Sequence, residues 1–298
     1  MMTNLLGVLP SVRVRDVTLR DGLQSLRAVL PTEAKLEIYN ALVSAGVRDL
    51  QVTSFVSPSR VPQLGDAEAV LSALSTRPEH RSVLVANLSG FERAAAAGAT
   101  EIEAVVSVSE TYNGKNAHRT TRQSLDEIRT MARRAVEVGC TITVALANCY
   151  HCVFEGRMEP EKVLTIVDEL DRYGIAQIGL CDTTGHATPD QVYDLSKQAR
   201  ASFPEVSFGA HLHDTRGRGM ANAIAALMTG ISWFDAALAG LGGSPFAPGM
   251  GGNLSLETLA DTTSGMGVQT HIDVGRIFEV GALVGSIVNR ALKTATPV

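Results

Sequence analysis

Two histidines one residue apart, His211 and His213, are the side chains of this sequence best suited to binding a metal ion. They lie in the run SFGAHLH, and residues i and i+2 of a β-strand point to the same face. Two such imidazoles bind one divalent cation when an oxygen ligand lies beside them, and Asp21 is the candidate for that ligand. The set suits Mg or Mn, with Zn as a further option. The alternative to a metal site is that one histidine lies in a barrel lumen and the other is packed among core side chains.

Arg20 precedes Asp21 directly, in the segment DVTLRDGLQ. A permanent cation beside a metal ligand can neutralise a developing oxyanion, whereas the structural alternative is an ion pair that closes a loop. Asp182 ends the run QIGLCD and is predicted to face the same site. Its other interpretation is that it orients Arg20 or the end of a strand.

The segment GLGGSPFAPGMGGN, residues 240–253, is rich in glycine and carries Ser244 near its middle. It is interpreted either as a plain connection or as a lid that delivers a side chain from Ser244 or Asn253. The sequence has no GxSxG elbow, which argues against an acyl-serine hydrolase. Cys149 and Cys152 resemble half a zinc site, but no second CxxC exists, so packing or a place at the rim is favoured.

Eight short β-branched runs precede helical patterns and would position these side chains. The runs are 12–17, 49–54, 82–87, 102–108, 141–146, 177–182, 207–213 and 233–238. Eight β–α alternations predict a TIM (β/α)8 barrel, whose chemistry lies at the carboxyl ends of the strands. An open doubly wound sheet is the alternative, although no GxGxxG follows the first run. We expect one domain over residues 1–298, with residues 273–292 forming a long helix or a helix pair against the barrel or a partner subunit.

Composition excludes several classes of protein. The net charge of -5 predicts no nucleic-acid partner, and the 298 residues contain no apolar run of the ~18 residues that a membrane span requires. The start of the chain lacks the features of a secretory signal, and its four cysteines are expected to be free thiols. A cytoplasmic location is predicted.

Seven motifs, in order over roughly residues 13–260, closely resemble those of 3-hydroxy-3-methylglutaryl-CoA lyases of the DRE-TIM metallolyase superfamily. The motifs are TLRDGLQ, VTSFVSPSRVPQLGD, SVSETYNGKNAH, CVFEG, CDTTGHATP, AHLHDTRGRGMANAIAAL and AGLGGSPFAPGMGGN. The resemblance implies a TIM barrel, a divalent cation that is usually Mg or Mn, and a homodimer. It also implies four metal ligands: Asp21, His211, His213 and Asn253.

The same resemblance implies that Arg20 stabilises an enolate and that Gln24 and Asp182 support the site. The segment around Ser244 would be the mobile signature loop. Two positions depart from the family. Ser244 stands where the lyases carry a catalytic cysteine, and Gln51 stands where they carry a glutamate. Both changes concern proton handling, because a thiol with a pKa of about 8.5 is a far stronger acid than a hydroxyl, and a glutamine cannot carry the proton or the negative charge of a glutamate.

These residues predict a divalent-metal-dependent lyase that cleaves a 3-hydroxyacyl-CoA of the hydroxymethylglutaryl-CoA type to acetyl-CoA and a keto acid. His213 is the first candidate for the base, with Asp21 or a water molecule as alternatives, and Ser244 would relay the proton that quenches the enolate. A 4-hydroxy-2-oxo acid aldolase or a Claisen-type synthase of the same superfamily is the first alternative. A barrel that binds metal and acyl-CoA without turnover is the second.

Overall fold

The computed structural model describes residues 8–243 and 251–294, and eight parallel strands within them close into a barrel. The strands in chain order are β1 (Arg13–Asp16), β2 (Asp49–Ser54), β3 (His80–Val85), β4 (Glu101–Ser107), β5 (Thr141–Ala147), β6 (His151–Cys152), β7 (Gly156–Arg157), β8 (Gln177–Asp182), β9 (Ser207–Leu212) and β10 (Trp233–Ala236). Strands β6 and β7 form a separate hairpin, and the order around the barrel is β1-β10-β9-β8-β5-β4-β3-β2. Each predicted run overlaps one barrel strand, so the TIM barrel is confirmed.

Helices cover the outside of the barrel. They are α1 (Thr32–Ser44), α2 (Ala67–Ala73), α3 (Leu88–Ala96), α4 (Glu110–Ala117), α5 (Thr121–Val138), α6 (Pro160–Arg172), α7 (Pro189–Ser202), α8 (Gly219–Met228), α9 (Leu256–Gly265) and α10 (Val274–Thr294). Thr188 is the N-cap of α7 and forms a capping box with Gln191, and Pro189 follows it at the first helical position. The C-terminal segment is one helix, α10, which packs against α1 and α9. No helix in the described part of the chain has the length and apolar character needed to cross a membrane.

The amino-terminal end of the lumen is filled by Trp233. Its indole lies against two glycines of neighbouring strands, so that a Cβ atom at Gly209 would come 2.0 Å from the ring and one at Gly179 would come 3.1 Å from it. The guanidinium of Arg15 lies 5.2 Å from the indole centroid. Because this end is packed, the open end of the barrel is the carboxyl end of the strands, where TIM barrels carry their chemistry.

Candidate metal centre and active site

A π-helical turn, Thr18–Gly22, follows β1 and carries Arg20 and Asp21. The turn is fixed at its base by Asp16, whose carboxylate accepts bonds from the Thr18 amide at 3.0 Å and the Thr18 hydroxyl at 2.7 Å. The Thr18 hydroxyl oxygen in turn accepts the amide N–H of Leu238, just beyond β10, at 2.8 Å. The start of the barrel is therefore tied to its last strand beneath the site.

Asp21, His211 and His213 converge at the open end of the lumen. Their candidate ligand atoms all lie within 4.8 Å of one another, and all three residues are buried. The Nε2 atoms of the two histidines are 3.2 Å apart, and Oδ2 of Asp21 lies 3.8 Å from Nε2 of His213. The structure thus brings together three of the four residues predicted to hold a metal.

The tautomers of both histidines follow from their outer partners. Nδ1 of His211 lies 2.9 Å from Oδ2 of Asp235, and Nδ1 of His213 lies 3.0 Å from the carbonyl oxygen of Gly251. Each partner only accepts, so each Nδ1 carries hydrogen, and in the neutral ring it is Nε2 that presents the lone pair. Burial, followed by the charge of His211, lowers the pKa of His213 to about 4, which favours the neutral ligand form. Two lone pairs at this separation suit a cation between them.

Asn253, the fourth predicted ligand, lies in the same cluster. Its amide nitrogen donates to Oδ2 of Asp21 at 2.7 Å and to the carbonyl of Leu241 at 2.8 Å. Its Oδ1 is buried and has no hydrogen-bond partner within the described residues. An orphaned buried oxygen beside two imidazoles and a carboxylate is what a divalent cation would satisfy. The residues present therefore fit a metal ion.

Arg20 and Gln24 surround the Asp21 carboxylate. Arg20 Nη1 forms an ion pair with Oδ1 of Asp21, and Nε2 of Gln24 donates to the same oxygen at 2.5 Å. Burial alone would raise the pKa of Asp21, but Arg20, His211 and His213 outweigh it and lower the pKa. Asp21 is therefore held as a carboxylate, the form in which it can bind a cation.

Three charged residues of the lumen, Arg15, Glu103 and Asp235, were not identified in the sequence. Arg15 donates to Asp235 through Nε at 2.8 Å and Nη2 at 2.9 Å, and Nη2 also lies 2.6 Å from Oε1 of Glu103. Gln51 connects this group to the site, because it contacts Arg20 with its oxygen and Glu103 with its nitrogen. The available signal was a single acidic residue within a largely apolar run, as at Glu103 in IEAVVSV and at Asp235 in WFDAAL, whereas the run of Arg15 carries several charges and gives no such signal.

The side chain of Asp182 contacts the backbone of the loop that follows β8. Its carboxylate accepts the backbone N–H groups of His186 at 3.2 Å and Ala187 at 3.0 Å, immediately after β8. Burial raises its pKa to about 6, against the lowering by these backbone bonds. Of the roles left open by the sequence, this geometry corresponds to orienting a strand end.

The remaining predicted positions are of two kinds. Ser244 lies outside the described residues. Cys149 and Cys152 are buried and unoxidised, and the metal-capable group found among the described residues contains no cysteine. Their burial is what the packing interpretation expects.

A pocket opens above the histidines, with polar groups on one side and an apolar wall on the other. The polar side includes Arg20, Asp21, Gln24, Glu103, Thr183, His211, His213 and Asp235. The apolar wall includes Val56, Val61, Leu84, Ala86, Val105, Ala145 and Ala147. Apart from Glu103 on β4, these polar residues lie on or just after β1, β8, β9 and β10, whereas the apolar residues lie on or just after β2, β3, β4 and β5.

Comparison with known proteins shows that this chain is similar to lyases that act on coenzyme A thioesters. The HMGL-like family model matches residues 11–284. The mitochondrial hydroxymethylglutaryl-CoA lyase of Mus musculus is 34% identical over 99% of this chain and 91% of its own length. The corresponding Arabidopsis thaliana enzyme is 37% identical over 95% of this chain, which spans 61% of that protein. The (R)-citramalyl-CoA lyase of Chloroflexus aurantiacus is also 37% identical, over 95% of this chain and 92% of its own.

Solved structures agree with these relatives. An HMG-CoA lyase from Acinetobacter baumannii, determined with coenzyme A and 3-methylmalate, has a TM-score of 0.90 and 33% identity, covering 94% of this chain and 92% of its own. The hydroxymethylglutaryl-CoA lyase of Pseudomonas aeruginosa has a TM-score of 0.88 and 28% identity, covering 97% and 99%. This chain therefore shares the barrel and the surrounding helices with both structures over nearly its whole length.

Proposed function

Because this chain belongs to the HMGL-like family, we propose that it is a carbon–carbon lyase of the hydroxymethylglutaryl-CoA type, which releases acetyl-CoA and a keto acid from a 3-hydroxyacyl-CoA. The observation that carries the proposal is the buried cluster of Asp21, His211 and His213, with the orphaned Oδ1 of Asn253 beside it. The sequence relatives that cleave coenzyme A thioesters cover most of the chain and support the same activity.

Asp21, His211, His213 and Oδ1 of Asn253 would hold a divalent cation, Mg or Mn, with Zn as the less favoured choice. A bound cation supplies Lewis acidity, which acidifies a substrate hydroxyl and polarises a carbonyl. The second hydrogen bond of each imidazole, to Asp235 and to the Gly251 carbonyl, keeps the ligand nitrogens aimed inward.

Arg20 would stabilise the enolate of the leaving thioester. The residue is 7% exposed and lines the pocket, where a positive charge acts on a developing oxyanion with little screening by water. Gln24 holds the Asp21 carboxylate, and Gln51 holds Arg20 Nε. In this proposal the two glutamines orient groups and neither transfers a proton.

The base that removes the hydroxyl proton is assigned to a water molecule of the pocket. His213 has Nδ1 bonded to Gly251, and its Nε2 is needed for the cation, so neither nitrogen is free. Both oxygens of Asp21 already accept hydrogen bonds, and its lowered pKa makes it a weak base. Of the three candidates considered from the sequence, water is the one that these contacts favour.

Ser244 remains the proposed relay for the proton that quenches the enolate. Ser244→Ala is expected to lower kcat by about 10- to 100-fold if a positioned hydroxyl carries that proton. Ser244→Cys is expected to equal or exceed the native rate, because a thiol is the stronger acid. Both variants are assayed for acetyl-CoA release, and an unchanged kcat in Ser244→Ala would remove the residue from the mechanism.

A second substrate is favoured by one relative. The (R)-citramalyl-CoA lyase is as similar to this chain as the plant hydroxymethylglutaryl-CoA lyase is, at 37% identity. Citramalyl-CoA has an acyl group one methylene shorter, and a single methylene discriminates substrates by only about 10- to 200-fold. We therefore propose measuring kcat/KM for both thioesters in parallel.

The deciding experiment is a coupled assay of acetyl-CoA release from the two thioesters with Mg or Mn. Native protein is compared with His211→Ala and with protein treated with a chelator. Turnover that both treatments abolish supports the proposal, and turnover that survives them refutes the metal-dependent mechanism. Tight acyl-CoA binding without turnover of either thioester, or of a pyruvate-yielding hydroxy acid, would indicate a binding protein.

We further propose that residues 1–298 act as one domain, and that the chain works in the cytoplasm as a homodimer. Sedimentation equilibrium of the purified protein tests the homodimer. A monomer at all concentrations would contradict it.

A further inference from the structure

We infer that Glu103 is a positioning residue that orients Arg20 through Gln51, so that the two residues form a hydrogen-bond relay of fixed polarity beneath the active site. The inference rests on the proposed lyase function for its effect on rate, although its geometry does not depend on that function. Glu103 lies on β4 and Gln51 on β2, while Arg20 lies on the π-helical turn after β1. Three separate segments of the barrel therefore meet in one chain of contacts.

The contacts of the relay are buried and continuous. Arg20 Nε donates to Oε1 of Gln51, and Nε2 of Gln51 donates to Oε2 of Glu103 at 2.7 Å. The other oxygen of Glu103 lies 2.6 Å from Arg15 Nη2. Gln51 is 0% exposed and Glu103 is 1% exposed, so water does not compete for these bonds. Glu103 also lines the pocket, which brings the relay to its floor.

The chemistry of the partners fixes the direction of every bond. The guanidinium of Arg20 can only donate, and the carboxylate of Glu103 can only accept. Gln51 must therefore turn its carbonyl oxygen to Arg20 and its nitrogen to Glu103. A carboxylate at position 51 would face a second carboxylate, and two such groups cannot both be ionised at low cost. An amide at position 103 would turn its NH2 group towards either Gln51 Nε2 or Arg15 Nη2, so that two hydrogen-bond donors would face each other.

The consequence for the active site is the orientation of one cation. Arg20 has Nε held by Gln51 and Nη1 held by Asp21, which fixes the plane of the guanidinium. Within the described residues, Nη2 of Arg20 carries no hydrogen bond, so both of its N–H groups are available to a substrate oxygen. A guanidinium freed from Gln51 would lose this fixed plane, and small misplacements of a catalytic group reduce rates strongly.

Arg15 connects the relay to the metal centre. The same guanidinium that contacts Glu103 also makes two bonds to Asp235, and Asp235 orients His211. One buried arginine thus balances the charges of two carboxylates, each of which leads to a different group of the site. Changes at Glu103 should disturb the orientation of Arg20 more than the contact between Asp235 and His211.

An exchange of the two side chains tests the polarity of the relay. In the double variant Gln51→Glu/Glu103→Gln, the new glutamine accepts from Arg15 and donates to the new glutamate, which accepts from Arg20. Each single variant, Gln51→Glu or Glu103→Gln, is expected to lower kcat for acetyl-CoA release about 10- to 100-fold, with KM changed less. The double variant is expected to regain about tenfold over either single variant, as coupled neighbours do.

Two further variants keep the test decisive if a single variant does not fold. Gln51→Met removes both bonds without adding charge and is expected to lose as much kcat as Glu103→Gln. Glu101→Gln makes the same substitution two residues earlier on β4, outside the relay, and is expected to keep the native kcat. Mn affinity should fall much less than kcat in the relay variants, because the four candidate ligands and Asp235 keep their own side chains and only the contacts of Arg20 and Arg15 change.

A second readout separates the relay from the proposed function. In protein labelled with ¹⁵N-arginine, the Arg20 Nε–H signal, assigned with Arg20→Lys, should be protected from exchange in the native and double variants and lost in the single variants. That pattern supports the relay even if neither thioester is cleaved. A double variant no better than the single variants in this signal, or a Glu103→Gln protein with native kcat and a native signal, would overturn the inference.

Discussion

At the scale of single residues, the candidate metal centre depends on partners that face away from it. His211 presents Nε2 to the cluster because its Nδ1 donates a hydrogen bond to Oδ2 of Asp235, with 2.9 Å between the two atoms. Asn253 presents Oδ1 because its nitrogen is engaged by Asp21 and Leu241. In both cases one atom of the side chain is used to aim another, so the outer bonds should influence metal affinity.

Asp235→Asn is expected to weaken Mn binding about 10- to 100-fold, the usual effect of losing an outer partner of a metal-bound histidine. The amide can present a donor to Nδ1 and so destabilise the tautomer that leaves Nε2 free. Titration of Mn followed by electron paramagnetic resonance measures the change. Asp49→Asn, also in the lumen but paired with Arg13, is the control. Equal affinities in the two variants would contradict a role for Asp235.

Asn253→Ala is expected to weaken Mn binding by about tenfold or more, because it removes the neutral oxygen that lies beside the three other candidate ligands without a hydrogen-bond partner. It also frees Oδ2 of Asp21 from a hydrogen bond, which partly offsets the loss. Isothermal titration with Mn checks the affinity. Asn116→Ala makes the same change in the pocket wall and should bind Mn like the native protein. Native affinity in Asn253→Ala would exclude Oδ1 as a ligand.

At the scale of elements, the sequence predicts strands and helices better than it predicts what their side chains contact. All eight barrel strands follow from short β-branched runs, because strands buried on both faces must be apolar along their length. The π-helical turn at Thr18–Gly22 and the hairpin of β6 and β7 were not predicted, since neither has a periodic pattern. The pairing of His211 and His213 could be predicted because residues two apart on a strand point to the same face. Arg15, Glu103 and Asp235 were missed because their pairing depends on strands far apart in sequence.

The packing of β8, β9 and β10 gives a prediction at this scale. Gly209→Ala is expected to lower the free energy of unfolding by about 1–3 kcal/mol, because its Cβ would fall within 2.0 Å of the Trp233 ring. Gly114→Ala, in α4, meets nothing within 4 Å and should stabilise by about 0.4–1 kcal/mol. Urea unfolding of both variants measures the difference. Equal stabilities would mean that the indole moves aside without cost.

At the scale of the whole molecule, closing the barrel places acidic groups where water cannot reach them. Asp16 ends β1 and is 0% exposed. Burial raises its pKa to about 7, although its bonds to Thr18 lower it. The folded chain therefore holds this proton more tightly than the unfolded chain, in which an aspartate has a pKa of about 3.9. The resulting stability is present in full below about pH 4 and is lost as the pH rises through about 7.

Asp16→Asn should remove this dependence on pH. Between about pH 4 and pH 7 the native protein is expected to lose about 1.4 kcal/mol of unfolding free energy per pH unit relative to the variant. Urea unfolding near the two ends of that range gives the difference. Asp261→Asn, on the exposed side of α9, is the control and should follow the native curve. Parallel curves for native protein and Asp16→Asn would show that the carboxyl group is not the cause.

The fixed direction of the hydrogen bond between Gln51 and Glu103 also limits which substitutions can accumulate at positions 51 and 103 during evolution. A carboxylate on β2 and an amide on β4 satisfy the same bonds as the present arrangement, but every single-step path between the two passes through a mismatched pair. The positions are therefore epistatic, and neutral change at either one is blocked until the other changes. Among descendants of one ancestor, residues 51 and 103 should covary, and a lineage that keeps both carboxylates should have altered Arg15 or Arg20 as well.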